Sequence, residues 1–201
     1  AVSLHVAGRS VRDEDALERM FARRFCRDVA NPALVQAGFA RTGDDPWMIL
    51  ATPFEPPAAS AMPRVAKRVL ALVNEARESG QRCGGRRFDP APPLRLSARL
   101  SDAALGHSRA MLATGRFDHT GARGDTPAVR VRAAGYEAAR VGENIAAGPT
   151  TAEEVVQGWI DSPGHCANLM DPRFAEMGLA YASDTRSRAG IYWTQVFATP
   201  R

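Results

Sequence analysis

The chain has 201 residues, 45% of them hydrophobic and 24% charged, with a formal net charge of +4. That length suits one ordinary globular domain, or one domain with an appendage. The 17 Gly and 14 Pro show no collagen-like or low-complexity bias, and no apolar run reaches the roughly 18 residues of a membrane span.

Of the 26 basic residues only Lys67 is a lysine, and acids interleave with the arginines. Aromatic content is 7%, too low for an extended base-stacking surface, so nucleic acid is not expected as a partner. The densest basic sets are Arg23, Arg24 and Arg27, and then Arg82, Arg86 and Arg87. They read as solvated faces, with a patch for anionic partners as the alternative.

In chain order, acids in the first turn and apolar residues at helical spacing predict a helix over 13–28. Asn31-Pro32 breaks it. The runs 33–40 and 47–52 flank a turn at Gly43–Pro46 and predict a β-hairpin. A proline-rich linker spans 52–63. A helix follows over 63–79, with Pro63 in its first turn and Gly80 at its stop. Another runs over 98–114, from Ser97 as N-cap to Gly115. A short helix at 127–134 follows Thr126. A fourth long helix starts at Thr150 or Thr151, each with a glutamate at capping-box spacing, and Ser162-Pro163-Gly164 ends it. Strands over 179–183 and 191–198 close the chain. Helices followed by a late antiparallel hairpin predict an α+β fold.

Residues 26–40 (CRDVANPALVQAGFA) lie on 166–180 (CANLMDPRFAEMGLA) without gaps, with Cys, Pro, Gly and Ala coincident. Trp47 echoes Trp193 at slightly different spacing. Residues 1–57 are therefore either a decayed partial copy of the C-terminal segment or an independent unit of similar build. Mismatched strand order would exclude the copy.

Three polar residues sit in unusual settings. His119 follows a helix, Glu143 lies between Gly142 and Asn144, and His165 follows Ser162-Pro163-Gly164. Two imidazoles and a carboxylate suffice as a zinc ligand set with an open fourth position. They would equally serve as an acid/base pair, or as a purely structural hydrogen-bonded cluster. His107 and Ser108 are neighbours on one helix, point to different faces, and read as packing or cleft wall. His5, near the start of the chain, has no nameable partner. Trp159 and Trp193 read as core anchors. The three cysteines, Cys26, Cys83 and Cys166, allow at most one internal disulfide. The chain opens at Ala1 with no charged and apolar leader ahead of it, which fits a mature secreted form and equally a trimmed one.

Phe117-Asp118-His119-Thr120, Gly142–Gly148 (GENIAAG), Trp159–His165 (WIDSPGH), Glu176-Met177-Gly178 and Tyr192–Phe197 (YWTQVF) occur in the order of the CAP superfamily, and Asn74–Arg77 is similar to its first-helix signature. The chain resembles the bacterial SCP-like branch over residues 63–201. The resemblance implies a three-layer α-β-α sandwich over 58–201, with residues 1–57 as a helix-plus-hairpin extension. It implies a cleft lined by His119 and Glu143, with Asn144, Ser162 and Tyr192 beside them. Ser162 and Tyr192 stand where eukaryotic members carry a second Glu and His, so His165 is the candidate second imidazole for zinc or another divalent cation. It also implies a Cys83–Cys166 disulfide, which leaves Cys26 as the odd thiol, buried under the first helix.

The sequence carries no GxSxG or HExxH nucleophile or metal motif. A monomeric, secreted or periplasmic binding module for a small molecule, lipid or peptide is the first expectation. A zinc hydrolase using His119, Glu143 and His165 comes second, and a structural protein of the cell envelope third.

Overall fold

The computed structural model describes residues 2–5, 14–43 and 45–201. They form two units, divided between Phe54 and Glu55 inside the proline-rich linker. Each is described by itself.

The first unit holds strand β1 (Val2–His5), helices α1 (Glu14–Arg24) and α2 (Cys26–Val29), and strands β2 (Gln36–Thr42) and β3 (Asp45–Ala51). The expected hairpin is present, and β1, which the sequence reading missed, pairs with the other side of β3 to give the order β1-β3-β2, all antiparallel. His5 thus lies in a strand, opposite Trp47. The alternation of β3 turns Met48 and Leu50 inward onto Leu4 and Phe21, the core of this unit. The helix expected over 13–28 is broken at Phe25, and Asp13 lies outside the described residues. Cys26 is exposed rather than buried, because the four-residue α2 buries none of its side chains.

The second unit begins its helices with α3 (Met62–Ser79). Its face of Ala66, Val69, Val73 and Ala76 is buried, as helical spacing requires. Gly80 ends it at φ 68°, a conformation glycine adopts without cost. A small hairpin, β4 (Gln81–Cys83) and β5 (Arg86–Phe88), and the two-residue β6 (Arg95–Leu96) follow; none had a clear sequence signal. Next come α4 (Ala98–Thr114), α5 (Pro127–Ala133), β7 (Ala138–Ala147), α6 (Ala152–Asp161), α7 (Pro163–Leu169), β8 (Glu176–Ser183) and β9 (Ile191–Pro200). Thr151, not Thr150, forms the capping box of α6 with Glu154.

The sheet runs β6-β8-β9-β7. On one face α3, α6 and α7 pack through Val69, Val73, Trp159 and Leu169 onto Leu179, Trp193 and Phe197. On the other, α4 and α5 pack through Leu100, Ala104 and Val131 onto Ala180, Val196 and Ala198. This is the expected α+β, three-layer arrangement. Trp159 and Trp193 are core anchors, with indole N–H groups donating to the carbonyls of Ile145 (3.2 Å) and Pro149 (2.8 Å). Gly178 admits α4: a Cβ there would lie 2.1 Å from the backbone carbon of Leu100.

The sequence echo has a topological counterpart. The series β1-α1-α2-β2-β3 repeats as β7-α6-α7-β8-β9, and the strand orders β2-β3-β1 and β8-β9-β7 agree. Cys26 and Cys166 fall in equivalent short helices, and Gln36 and Glu176 both open the next strand. The tryptophans do not correspond. Trp47 pairs with Ala40, whereas Trp193 pairs one register step away with Tyr181 rather than Ala180. A one-residue slip exchanges the faces of a strand.

Candidate functional site

The site is built on β7, which forms one edge of the four-stranded sheet. Residues 141–146 carry no clear element in their sequence, yet they lie in a strand, and that is why the neighbours Glu143 and Asn144 part to opposite faces.

Glu143 faces α4 and α5, with its side chain only 2% exposed. Its Oε1 accepts from His119 Nδ1 at 2.8 Å, and its Oε2 accepts from the Arg130 guanidinium at 2.7 Å. A carboxylate only accepts, so His119 carries its proton on Nδ1. Arg130 ties the surrounding loop together. Besides Glu143 it donates to the carbonyl of His119 (2.9 Å), and to the carbonyl (2.8 Å) and carboxylate (3.0 Å) of Asp125. Its place follows from the start of α5. Thr126 caps the helix, and an arginine one turn later leans back over the residue before the cap.

His107, fully buried on α4, comes within 3.8 Å of Glu143 Oε1 and donates through Nε2 to the carbonyl of Asp118 at 3.0 Å. Its Nδ1 has no hydrogen-bond partner among the described residues. One carboxylate and three cations or imidazoles therefore hold the 117–125 loop.

Asn144 serves the other face. Its side-chain N–H group donates to the carbonyl of His165 and to Gln195 Oε1, both at 3.2 Å. Asn168 donates to Asn144 Oδ1 (3.0 Å) and to the Glu143 carbonyl (3.2 Å). This buried amide chain joins β7, β9 and α7, and buried amides are stable only when so paired. His165 lies in the first turn of α7, not in a loop. Ser162 both ends α6 and precedes α7.

The histidines are pushed apart in acidity. The hydrogen bond to Glu143 raises the pKa of His119 above the ordinary 6.5, against the opposing effect of burial. Burial lowers that of His107, and burial together with the nearby His119 charge lowers that of His165. His119 is thus the more basic of the two imidazoles and His165 the less basic.

Of the expected site residues, the structure brings His119 and Glu143 into contact and sets His165 near them. Asn144 belongs to the amide chain behind the site. Tyr192 lies in an apolar cluster with Met111 and Ile145. His107, expected as packing or cleft wall, is buried against Glu143, whereas Arg130 and Asn168 had no place in the expected site. Arg130 was legible only as one basic residue of an amphipathic turn.

The divalent ion that the resemblance implies does not fit the donors present. Both oxygens of Glu143 are committed, one of them to a guanidinium at 2.7 Å. A metal there would face that fixed positive charge. Among the described residues no group of three His, Cys, Asp or Glu side chains is arranged to hold a metal. Cys166 is not a nucleophile, being bonded to Cys83 as expected.

The model of the cysteine-rich secretory protein family, CAP, matches residues 70–197. The chain belongs to the CAP family. An uncharacterised protein of Bacillus subtilis, YkwD, is 31% identical over 140 residues, covering 70% of this chain and 49% of that protein. The CAP chain thus spans about half the length of that curated relative. An extracellular SCP-domain protein from Bacillus anthracis superposes with a TM-score of 0.59 at 18% identity, over 98% of this chain and 78% of its own. An outer surface protein of Borrelia burgdorferi gives 0.56 at 18% identity, over 67% of this chain and 92% of its own. These structural likenesses concern the CAP fold. No helix among the described residues is long and apolar enough to cross a membrane.

Proposed function

We propose that this CAP domain is an extracytoplasmic, non-catalytic binding module, monomeric, whose ligand meets the rim formed by His119 and His165. The observation that carries this reading is the double commitment of Glu143. A carboxylate held by Arg130 and His119 is a structural hub, not a free base or metal ligand. The half-exposed His119 ring keeps its remaining edge for a ligand, and the basicity it gains from Glu143 favours an anionic or hydrogen-bonding head group, as on a fatty acid or a peptide C-terminus. A disulfide and relatives described as extracellular or outer-surface proteins support a secreted or periplasmic setting.

The test pairs binding with turnover. Palmitate is titrated while the imidazole proton resonances of His119 and His165 are followed, and p-nitrophenyl acetate and casein hydrolysis are measured with and without zinc. The reading expects saturable shifts of both rings, and hydrolysis equal in the wild type and Glu143→Gln. Hydrolysis that disappears in Glu143→Gln would establish an enzyme instead.

A further inference from the structure

The β4–β5 hairpin carries three arginines, and nothing in the proposed site uses them. Arg82 and Arg87 lie directly opposite each other across the two strands, a like-charge pair that costs stability. Arg86, on the other face, stacks over the Phe88 ring at 4.5 Å. All three are exposed, and among the described residues none makes an ion pair. The hairpin is nonetheless fixed, because Cys83 ties β4 to Cys166 in α7.

Beside it lies a groove of about 610 Å³, walled by Arg86 and Arg87 and floored by Phe88, Pro90, Met170 and Pro172. The turn after α7 forms its far wall, and a second source of positive charge stands behind that turn. Arg77 is wholly buried, and its guanidinium donates only to carbonyls: Pro92 (2.7 Å), Leu169 (2.6 Å), Asp171 (3.1 Å) and Phe174 (3.3 Å). The acids at the groove are Asp89 and Asp171, and Asp171 is already held by Arg173 at 2.6 and 2.8 Å with Arg140 also near it. Positive charge therefore exceeds negative charge around a concave, partly apolar surface.

We infer that this groove docks an acidic peptide segment of a partner protein, its carboxylates meeting Arg86 and Arg87 and an apolar side chain resting on the exposed Pro90 and Pro172. Three features select a peptide. Arginine and aromatic residues, here Arg86, Arg87 and Phe88, are among those enriched in protein interfaces. A concave groove suits a chain better than it suits a flat membrane. The disulfide fixes the hairpin in advance, so little ordering is lost on binding. A carboxylate placed beside Arg87 lowers its repulsion with Arg82.

The test uses the whole chain and a fluorescein-labelled ten-residue peptide of alternating Glu-Glu and Leu-Pro pairs, read by anisotropy. Binding should be saturable and should weaken with salt. Arg86→Ala with Arg87→Ala should weaken it roughly tenfold or more, as loss of interface anchors does. Arg99→Ala with Arg109→Ala, which removes the same charge from the exposed side of α4, should change it less than about twofold. Absence of peptide binding, or equal loss in the two double variants, would overturn the inference. So would tighter Arg86- and Arg87-dependent binding of a heparin fragment or of phosphatidylglycerol vesicles.

Discussion

The first unit and the second half of the CAP domain follow the same β-α-α-β-β path with the same strand order, yet they differ in what fills the middle. Matched through strand pairing, Asn144 opposite Gln195 in the CAP domain corresponds to Leu4 opposite Met48 in the first unit. The CAP domain has an amide chain there, and the first unit has an apolar contact. The residue before Asn144 is the hub Glu143, and the one before Leu4 is Ser3. The residue before the helix cysteine is His165 in one and Phe25 in the other. The glycines separate as clearly. Gly178 lies against the α4 backbone, whereas its counterpart Gly38 has nothing within 4 Å of where a Cβ would stand. A shared path thus supports two kinds of core, and only the one that buries a carboxylate carries a candidate site.

The cysteines should separate the two regions most. The Cys83–Cys166 bridge spans 83 residues, for which chain entropy gives about 4–5 kcal/mol. Cys83→Ala with Cys166→Ala should lower stability by a large part of that in urea unfolding, whereas Cys26→Ser at an exposed position should change it by less than about 0.5 kcal/mol. Equal effects would mean that Cys26 is not the solvent-exposed residue described above.

Next are the hubs. Glu143→Ala strands the nearly buried Arg130 and should cost about 3–5 kcal/mol in the CAP domain. Leu4→Ala should cost about 2–4 kcal/mol, confined to unfolding of the first unit. Amide exchange resolved by residue would assign each loss. A Glu143→Ala cost below about 1 kcal/mol would break the contrast.

The glycines follow. Gly178→Ala sets a methyl against backbone that cannot swing aside and should cost about 3 kcal/mol, while Gly38→Ala should be near neutral. Thermal melts of the two variants compare them directly, and equal costs would show that α4 yields at Gly178.

The smallest effect is pH dependence. His119 has a higher pKa folded than unfolded, so its contribution is complete below about 6.5 and is lost as pH rises through the raised folded value. His107 and His165 run the other way: their contribution is present above 6.5 and is lost as pH falls towards their lowered folded values. The stability difference between wild type and His119→Gln should therefore shrink from about pH 6 to about pH 9, modestly, because the ring is half exposed. A difference that grows over that range would contradict the Glu143 hydrogen bond.

Much of this fold was legible because its long helices carry caps, stops and apolar faces in their own sequence, as at Thr151, Gly80 and Gly115. The strands β1, β4, β5 and β6 are two to four residues long and exist through their partners, so no local period announces them. The strand around Glu143 was hidden by its small and polar residues, which suit an edge strand beside a polar site better than a generic strand pattern. His119 and Glu143 were found through ordered motifs. Arg130, a long-range partner of both, has no mark beyond its place one turn after Thr126, and Cys26 was misplaced because a four-residue helix covers nothing.

The central claim is that Arg130 supplies the positive charge that Glu143 would otherwise seek from a metal. Calorimetric titration of zinc chloride into the wild type and Arg130→Met at neutral pH tests it directly. The account predicts no one-to-one zinc binding in the micromolar range for the wild type, with affinity gained when the guanidinium is removed. Micromolar one-to-one binding by the wild type that disappears in both Glu143→Ala and His119→Ala would contradict it.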